Sequence, residues 1–272
     1  FSLSDGLKLV AARGRLMGRL PRTPHGGMVS LRASEARVRR AIAPYSNQVS
    51  IAALNGPESV VISGKQETVL MIAEQLAAEG VKTRQLTVSH AFHSPLMAPL
   101  LHEFRPVAAR ITYHQPKLRL VSNVTGQLAG HEIMTPDYWV RHVRQAVRFA
   151  DGVNTLHQQG IDIFIEIGPK PTLLGMAGQM AEFSSSNFDS NETPAVAMLP
   201  SLRKNKNDWQ QMLASVGELY VRGIEIDWVS FHRDDQLAAF SIICLHRPLL
   251  YWPGCQQYHA GWYCTGVGTI SR

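Results

Sequence analysis

Apolar side chains recur with the period of an α-helix at the start of the chain, which predicts a helix from about Ser4 to Leu20. A helical wheel gives this helix a broad apolar face and a narrow polar edge, formed respectively by Leu7, Val10, Ala11, Gly14 and Met17, and by Lys8, Arg15 and Arg19. Arg13 lies on the apolar face. Because an unpaired guanidinium is costly there, we expect Arg13 to bind an anion, either an internal carboxylate or a ligand.

Short apolar strands separated by two helices follow between Gly26 and Val88. The predicted strands cover residues 27–31, 49–54, 60–63 and 81–88, and the predicted helices cover residues 34–43 and 66–78. A turn through residues 55–58, which contain Gly56 and Pro57, joins the two middle strands as a hairpin. The resulting order βαββαβ is that of a ferredoxin-like unit.

The rest of the chain alternates strands with helices, which predicts an α/β fold with a largely parallel sheet. Strands are expected at residues 118–121 and 162–167, and a helix is expected to start at Pro171. Residues 184–191 are rich in Ser and Asn and predict an exposed loop. A further helix is expected from Asp208 to about Arg222.

A histidine-containing segment follows the last strand of the ferredoxin-like unit. Val88 ends that strand, Ser94 is a good N-cap, and Pro95 suits the first position of a helix. His93 is therefore expected just outside a helix N-terminus, where the helix dipole favours the neutral imidazole that a general base needs. The alternative is an ordinary polar loop residue.

Five motifs, taken together, resemble the acyltransferase domains of modular type I polyketide synthases. They occur in the order of that family and cover roughly Phe1 to Trp228. The motifs are residues 5–17 (the arginine helix), 55–57 with 60–64 (the hairpin), 90–97 (His-Ala-Phe-His-Ser-Pro-Leu-Met), 138–144 (Tyr-Trp-Val-Arg-His-Val-Arg) and 166–169 (Glu-Ile-Gly-Pro).

The resemblance implies a hydrolase-like large subdomain with an inserted ferredoxin-like small subdomain, and an active site in the cleft between them. Residues 1–25 and 89–197 would form the large subdomain, without its N-terminal part, and residues 26–88 the small subdomain. Residues 198–235 would be a linker that follows the acyltransferase. Residues 236–272 form an atypical tail, which is either a divergent linker or the product of a frameshift.

The resemblance also assigns a reaction, the transfer of a malonyl unit from malonyl-CoA to the phosphopantetheine thiol of an acyl carrier protein. His93 would be the catalytic base and Arg13 would bind the malonyl carboxylate, for which a planar guanidinium is well suited. The His-Ala-Phe-His form of the motif implies that His90 and Phe92 select malonyl over methylmalonyl, although Phe92 could be a simple core residue.

Two further residues are implied as supports for the base. By resemblance, the backbone carbonyl of His142 would orient His93, and Asn123 is a second candidate for the same role. Ser89 and Ser94 adjoin His93 in sequence, but neither lies in the Gly-x-Ser-x-Gly elbow that presents a nucleophilic serine. The family's Gly-His-Ser-x-Gly elbow is absent, so we expect a fragment that is inactive alone.

Two other functional classes stay open at this point. The chain could be a non-catalytic remnant that only docks neighbouring domains, or a serine esterase, although an esterase does not explain Arg13 on an apolar face.

The expected partners are the acyl carrier protein, the CoA thioester and a neighbouring ketosynthase domain. The implied setting is the cytoplasm, without a membrane segment, a bound metal or a redox cofactor.

Charge and cysteine content change this picture little. The chain has 27 Lys and Arg against 21 Asp and Glu, a formal net charge of +6 and a pI near 9.4. This charge suits CoA phosphates or an acidic carrier, and the dispersed basic residues argue against nucleic acid. Cys244, Cys255 and Cys264 lack the paired spacing of a zinc site.

Overall fold

The computed structural model describes residues 1–20, 25–180, 196–231, 255–258 and 261–264. The chain divides into two compact units, Phe1–Ser215 and Val216–Arg272. The helices are α1 (Leu3–Gly18), α2 (Glu35–Ile42), α3 (Gln66–Ala78), α4 (Ala98–Ala109), α5 (Pro136–Arg144), α6 (Phe149–Gln158), α7 (Thr172–Ala177), α8 (Asp208–Val221) and α9 (Trp228–Phe231). The strands are β1 (Gly26–Leu31), β2 (Val49–Gly56), β3 (Ser59–Lys65), β4 (Thr83–Gln85), β5 (Ile163–Glu166), β6 (Ala197–Pro200), β7 (Cys255–Tyr258) and β8 (Gly261–Cys264).

The small subdomain forms as expected. Its four strands make one antiparallel sheet in the order β2-β3-β1-β4. The helices α2 and α3 bury Val38, Val69 and Ile72 in a core shared with strand residues such as Val29 and Ile62. Strand β4 is shorter than the predicted 81–88, since only residues 83–85 pair with β1.

The buried side of α1 differs from the predicted apolar face. Ser2 caps the helix by accepting a hydrogen bond from the Asp5 backbone N–H. The buried residues are Leu9, Ala12 and Leu16, and of these Leu9 and Leu16 belong to a core shared with α4 and α5. Leu7 and Val10 are 62% and 68% exposed. The wheel ranked side chains by polarity alone, whereas the side of the helix that faces α4 decides burial.

The large subdomain contains a short parallel sheet and several helices. Strand β5 pairs with β6 in parallel, from Ile163 against Ala197 to Glu166 against Pro200. The strand expected at 118–121 does not form. Only Val121 makes a bridge, to Leu128, and the Ala129 N–H donates to the Leu120 carbonyl, so this segment folds back as a tight local turn.

The second unit has its own local contacts. Gly223 has a φ of +84°, a left-handed conformation that suits glycine after the end of α8. The Tyr220 and Trp228 rings pack edge to face, and β7 pairs with β8 in antiparallel register. The expected loop at 184–191, Cys244 and most of the tail lie outside the described residues. None of the described helices is long and apolar enough to cross a membrane.

Candidate active site

The local fold places His93 between the small subdomain and α4. Ser94 is fully buried, donates to the Ala91 carbonyl at 2.6 Å, and accepts from the Leu96 N–H at 3.2 Å. Ser94 therefore caps the short 3₁₀ turn Pro95–Met97 that leads into α4. Its hydroxyl is used for this purpose and is not presented to the His93 ring.

The backbone of His93 is in a left-handed conformation, with a φ of +58°. For a residue other than glycine this conformation costs about 1–3 kcal/mol, so the surrounding contacts must hold it. The conformation turns the His93 ring toward the segment that follows α5. Such strain at a histidine is typical of a functional position.

The ring of His93 is oriented by a backbone carbonyl. Its Nδ1 lies 2.7 Å from the Gln145 carbonyl oxygen. Because a carbonyl can only accept, Nδ1 carries the proton and, in the neutral ring, Nε2 is left as the basic nitrogen. A backbone carbonyl here fulfils the orienting role that a carboxylate has in serine hydrolases.

This carbonyl belongs to Gln145 and not to either residue expected from the sequence. Helix α5 ends at Arg144, and Gln145 leaves it in an extended conformation that turns its carbonyl away from the helix axis. The carbonyl of Asn123 instead accepts from the Arg148 N–H at 2.9 Å. His142 lies one helical turn earlier and enters the site through its ring. The end of α5 after Arg144 presents the Gln145 carbonyl to the His93 ring, and no side-chain pattern in the sequence marks it.

The pKa of His93 is held below its usual value. Burial is the largest cause, the hydrogen bond to Gln145 opposes it, and the positive charges of Arg13 and Arg144 lower the pKa further. The imidazole is therefore neutral at pH 7, which is the form that can accept a proton. The sequence predicts the same neutral form from the helix dipole, whereas here burial and the two arginines lower the pKa.

Arg13 lies in the same cluster as the two histidines. Its Nη1 donates to Nδ1 of His142 at 3.0 Å, which requires a neutral His142 ring. Burial, then the charges of Arg13 and His93, lower the pKa of His142 to about 4. Within the part of the chain that the structure describes, no carboxylate forms an ion pair with Arg13. This guanidinium is thus half-buried and has donors to spare.

Phe92 and His90 lie beside this cluster. Phe92 packs against two cores, that of α1 and α4 and that formed by Met28, Ala52 and Val61 of the small subdomain. The rings of His90 and Phe92 are 6.1 Å apart. The buried Nε2 of His90 has no hydrogen-bond partner among the described residues. Phe92 thus occupies the junction between the two subdomains.

The described residues contain no hydroxyl group hydrogen-bonded to the His93 ring. Ser89 is exposed, and Ser50 donates to the main-chain carbonyl of His93 at 2.7 Å. They also contain no cluster of three or more His, Cys, Asp or Glu residues that could hold a metal. The arrangement is therefore a neutral, oriented imidazole beside a guanidinium without an anionic partner.

Residues 1–226 match the sequence model of the family described as "Acyl transferase domain". The chain belongs to this acyltransferase family. Polyketide synthase GfsA of Streptomyces halstedii is 43% identical over 232 residues, which are 85% of this chain and 3% of that protein. The mycoketide-CoA synthase of Mycobacterium tuberculosis is 44% identical over 227 residues, 84% of this chain and 5% of that protein.

Solved acyltransferases have the same fold. The acyltransferase domain from the second module of the salinomycin polyketide synthase aligns with a TM-score of 0.76 and 43% identity, over 87% of this chain and 54% of that chain. A malonyl CoA-acyl carrier protein transacylase from Clostridium perfringens aligns with a TM-score of 0.69 and 24% identity, over 83% of this chain and 68% of that chain. The chain thus spans about half of the salinomycin domain, and the predicted family and α/β fold class are confirmed.

Proposed function

We propose that this chain supplies the base and the carboxylate-binding residue of a polyketide synthase acyltransferase that transfers malonyl groups. The substrate is malonyl-CoA, and the acceptor is the phosphopantetheine thiol of an acyl carrier protein. The observation that carries this proposal is the shared cluster of Arg13, His142 and His93. One small acyl group that carries both a carboxylate and a thioester can engage a guanidinium and a base at once.

In the proposed reaction, Nε2 of His93 takes the proton of a serine hydroxyl as its oxygen attacks the malonyl thioester carbon. The C–S bond breaks, and the imidazolium gives the proton to the departing CoA thiolate. The neutral His93 then takes the proton of the carrier thiol, whose sulfur attacks the acyl-serine ester. The serine oxygen recovers the proton when it leaves. The Gln145 carbonyl stabilises the imidazolium in both halves of the reaction.

Arg13 is proposed to bind the free malonyl carboxylate. Its contact with neutral His142 fixes one edge of the guanidinium and leaves further N–H groups for a bidentate pair with the carboxylate. Because His142 carries no charge near neutral pH, it positions Arg13 without competing for it as an anion would. Acetyl-CoA lacks the carboxylate and gains nothing from this site.

His90 and Phe92 are proposed to set the preference for malonyl over methylmalonyl. Phe92 lies next to His93 in sequence and at the subdomain junction, where a bulky ring restricts space beside an acyl α-carbon. One extra methyl group in such a pocket changes the selectivity by about 1–3 kcal/mol. The His90 ring lies 6.1 Å from the Phe92 ring, and its buried Nε2 has no hydrogen-bond partner among the described residues.

The attacking serine is proposed to come from sequence outside this chain. No hydroxyl among the described residues reaches the His93 ring, and the salinomycin domain has nearly half its length without a counterpart here. The test is a chimeric domain that joins to this chain the part of the salinomycin module 2 acyltransferase that has no counterpart here. We expect it to load label from malonyl-CoA and pass it to a carrier protein.

Replacing His93 by Ala in the chimera should reduce loading by at least about 100-fold, the scale of general base catalysis. The chain alone should acquire no label. Label on the chain alone, mapped to Ser89 or Ser94, would contradict the assignment of the nucleophile. A folded chimera that binds carrier protein yet loads nothing would favour the docking remnant.

A further inference from the structure

The main-chain carbonyl of His93 accepts two hydrogen bonds. Ser50 Oγ donates to it at 2.7 Å, and Arg144 Nη1 donates at 3.3 Å. The same Arg144 nitrogen also donates to Ser50 Oγ at 3.2 Å. The three groups therefore form a closed triangle, which we name the carbonyl clamp. It is separate from the contact between the His93 ring and Gln145.

Strand β2 of the small subdomain is hydrogen-bonded both to the His93 backbone and to the segment that follows Gln145. Ser50 is the second residue of β2. Farther along the strand, the Val147 N–H donates to the Ala52 carbonyl at 2.9 Å, and the Leu54 N–H donates to the Val147 carbonyl at 2.8 Å. Val147 lies two residues after Gln145. One strand thus holds the His93 backbone and also the segment that carries the carbonyl facing the His93 ring.

The carbonyl clamp holds the strained, left-handed backbone of His93. A return of φ from +58° to the ordinary negative range would rotate the peptide groups and move the ring away from Gln145. It would also move the His93 carbonyl away from its two donors. The hydrogen bonds to this carbonyl therefore oppose that rotation.

We propose that Ser50 and Arg144 are positioning residues that keep the His93 imidazole in its Nδ1–H form against Gln145. The inserted small subdomain thereby sets the orientation of the base. The importance of this for catalysis rests on the function proposed for His93. Ser50 and Arg144 donate hydrogen bonds to the backbone carbonyl of His93, whereas the hydrogen bond of the ring is with Gln145, so the proposed positioning acts through the backbone.

The test is a nitrogen NMR measurement of the His93 ring in the 272-residue chain labelled with ¹⁵N-histidine. The shifts distinguish a protonated from an unprotonated ring nitrogen and so report the tautomer. We expect one Nδ1–H tautomer in the parent chain. Ser50→Ala and Arg144→Met should each add a clearly resolved Nε2–H population. Ser50→Thr keeps the hydroxyl donor and should show only the Nδ1–H tautomer.

Two comparisons isolate the clamp from charge and from general destabilisation. Arg144→Met also removes one of the two positive charges near His93, whereas Ser50→Ala changes no charge, so a tautomer change in both variants reports the shared hydrogen bonds. Arg141→Met is the matched control, since Arg141 is an exposed arginine of the same helix. It should leave the tautomer unchanged.

Folded Ser50→Ala and Arg144→Met chains that both keep the single Nδ1–H tautomer would overturn the proposal. If Arg144→Met fails to fold, Ser50→Ala decides alone, because it removes one of the two donors to the His93 carbonyl and changes no charge. The measurement is made on the resting chain without substrate. An inactive chimera would therefore contradict the proposed function and would not affect the tautomer result. An unchanged tautomer in the variants would contradict the positioning role and would not affect the proposed function.

Discussion

The small subdomain and the large subdomain bury their apolar side chains to very different extents. No large apolar side chain between residues 26 and 88 is exposed, and Val60 and Ile62 are fully buried. In the large subdomain Leu7, Val10 and Ile167 are exposed to solvent. The small subdomain thus completes its own core within this chain, whereas the large subdomain presents apolar faces that the described residues do not cover.

The well-packed small subdomain helps to hold the candidate active site. Arg13 and His93 belong to the large subdomain, yet Ser50 of β2 in the small subdomain donates to the His93 carbonyl. The same strand also pairs with Val147, two residues after the Gln145 carbonyl that faces the His93 ring. The well-packed sheet of the small subdomain therefore helps to fix the position of the polar cluster of Arg13, His93 and His142. This cluster lies in the large subdomain, whose apolar side chains are less completely buried.

The largest expected effect is on stability. Replacing the fully buried Ile62 of β3 by Ala should lower the free energy of unfolding by about 2–4 kcal/mol, through lost apolar burial and a residual cavity. The matched variant Ile165→Ala lies in β5, where Ile165 is 51% exposed, and should cost about 0.5 kcal/mol or less. Urea unfolding followed by circular dichroism measures both values. Equal losses of unfolding free energy in the two variants would contradict the difference in burial between the two subdomains.

A smaller effect is expected from pH. The folded-state pKa of His142 is about 4, below about 6.5 for an unfolded histidine. The folded chain therefore binds fewer protons, so this stabilisation is fully present above pH 6.5 and is lost as the pH falls toward 4. Acidification from pH 7 to pH 5 should cost about 1–2 kcal/mol of unfolding free energy after allowance for partial exposure.

The variant that isolates this effect is His142→Asn, which can still accept a hydrogen bond from Arg13 but does not titrate. Its stability should change less between pH 7 and pH 5 than that of the parent chain. His102→Asn, at an exposed position of α4, is the matched control. A parent chain as stable at pH 5 as at pH 7 would refute the expected pH dependence.

Sequence patterns predicted the small subdomain best because its residues pack mainly against one another. The expected helix at 66–78 coincides with α3, and the βαββαβ order and the hairpin both form. Alternation of apolar residues predicts strands well when the residues that cover the sheet belong to the same sequence segment as its strands.

The errors in the large subdomain have one physical origin. The wheel for α1 and the strand at 118–121 were inferred from apolar content alone, but burial depends on which neighbours are present. Leu118 is 83% exposed and Leu7 is 62% exposed. Strand β6 was not foreseen, since its pairing with β5 joins residues far apart in the sequence.

The site was predicted in part. Its residue types and the local capping by Ser94 could be inferred from the sequence, and the structure brings Arg13, His93 and His142 together. The Gln145 carbonyl and the carbonyl clamp could not, because backbone carbonyls carry no side-chain signature. Their positions depend on the end of α5 and on the bridge between β2 and Val147.

The central claim is that Arg13 binds a substrate carboxylate beside His93. Isothermal titration of the chain with malonyl-CoA and with acetyl-CoA tests it without any need for turnover. We expect malonyl-CoA to bind at least about tenfold more tightly, a preference of about 1.4 kcal/mol or more. Arg13→Ala should abolish the preference, and Arg15→Ala, at an exposed position of α1, should retain it. Equal affinities for the two thioesters in the parent chain, or a preference that survives Arg13→Ala, would contradict the account.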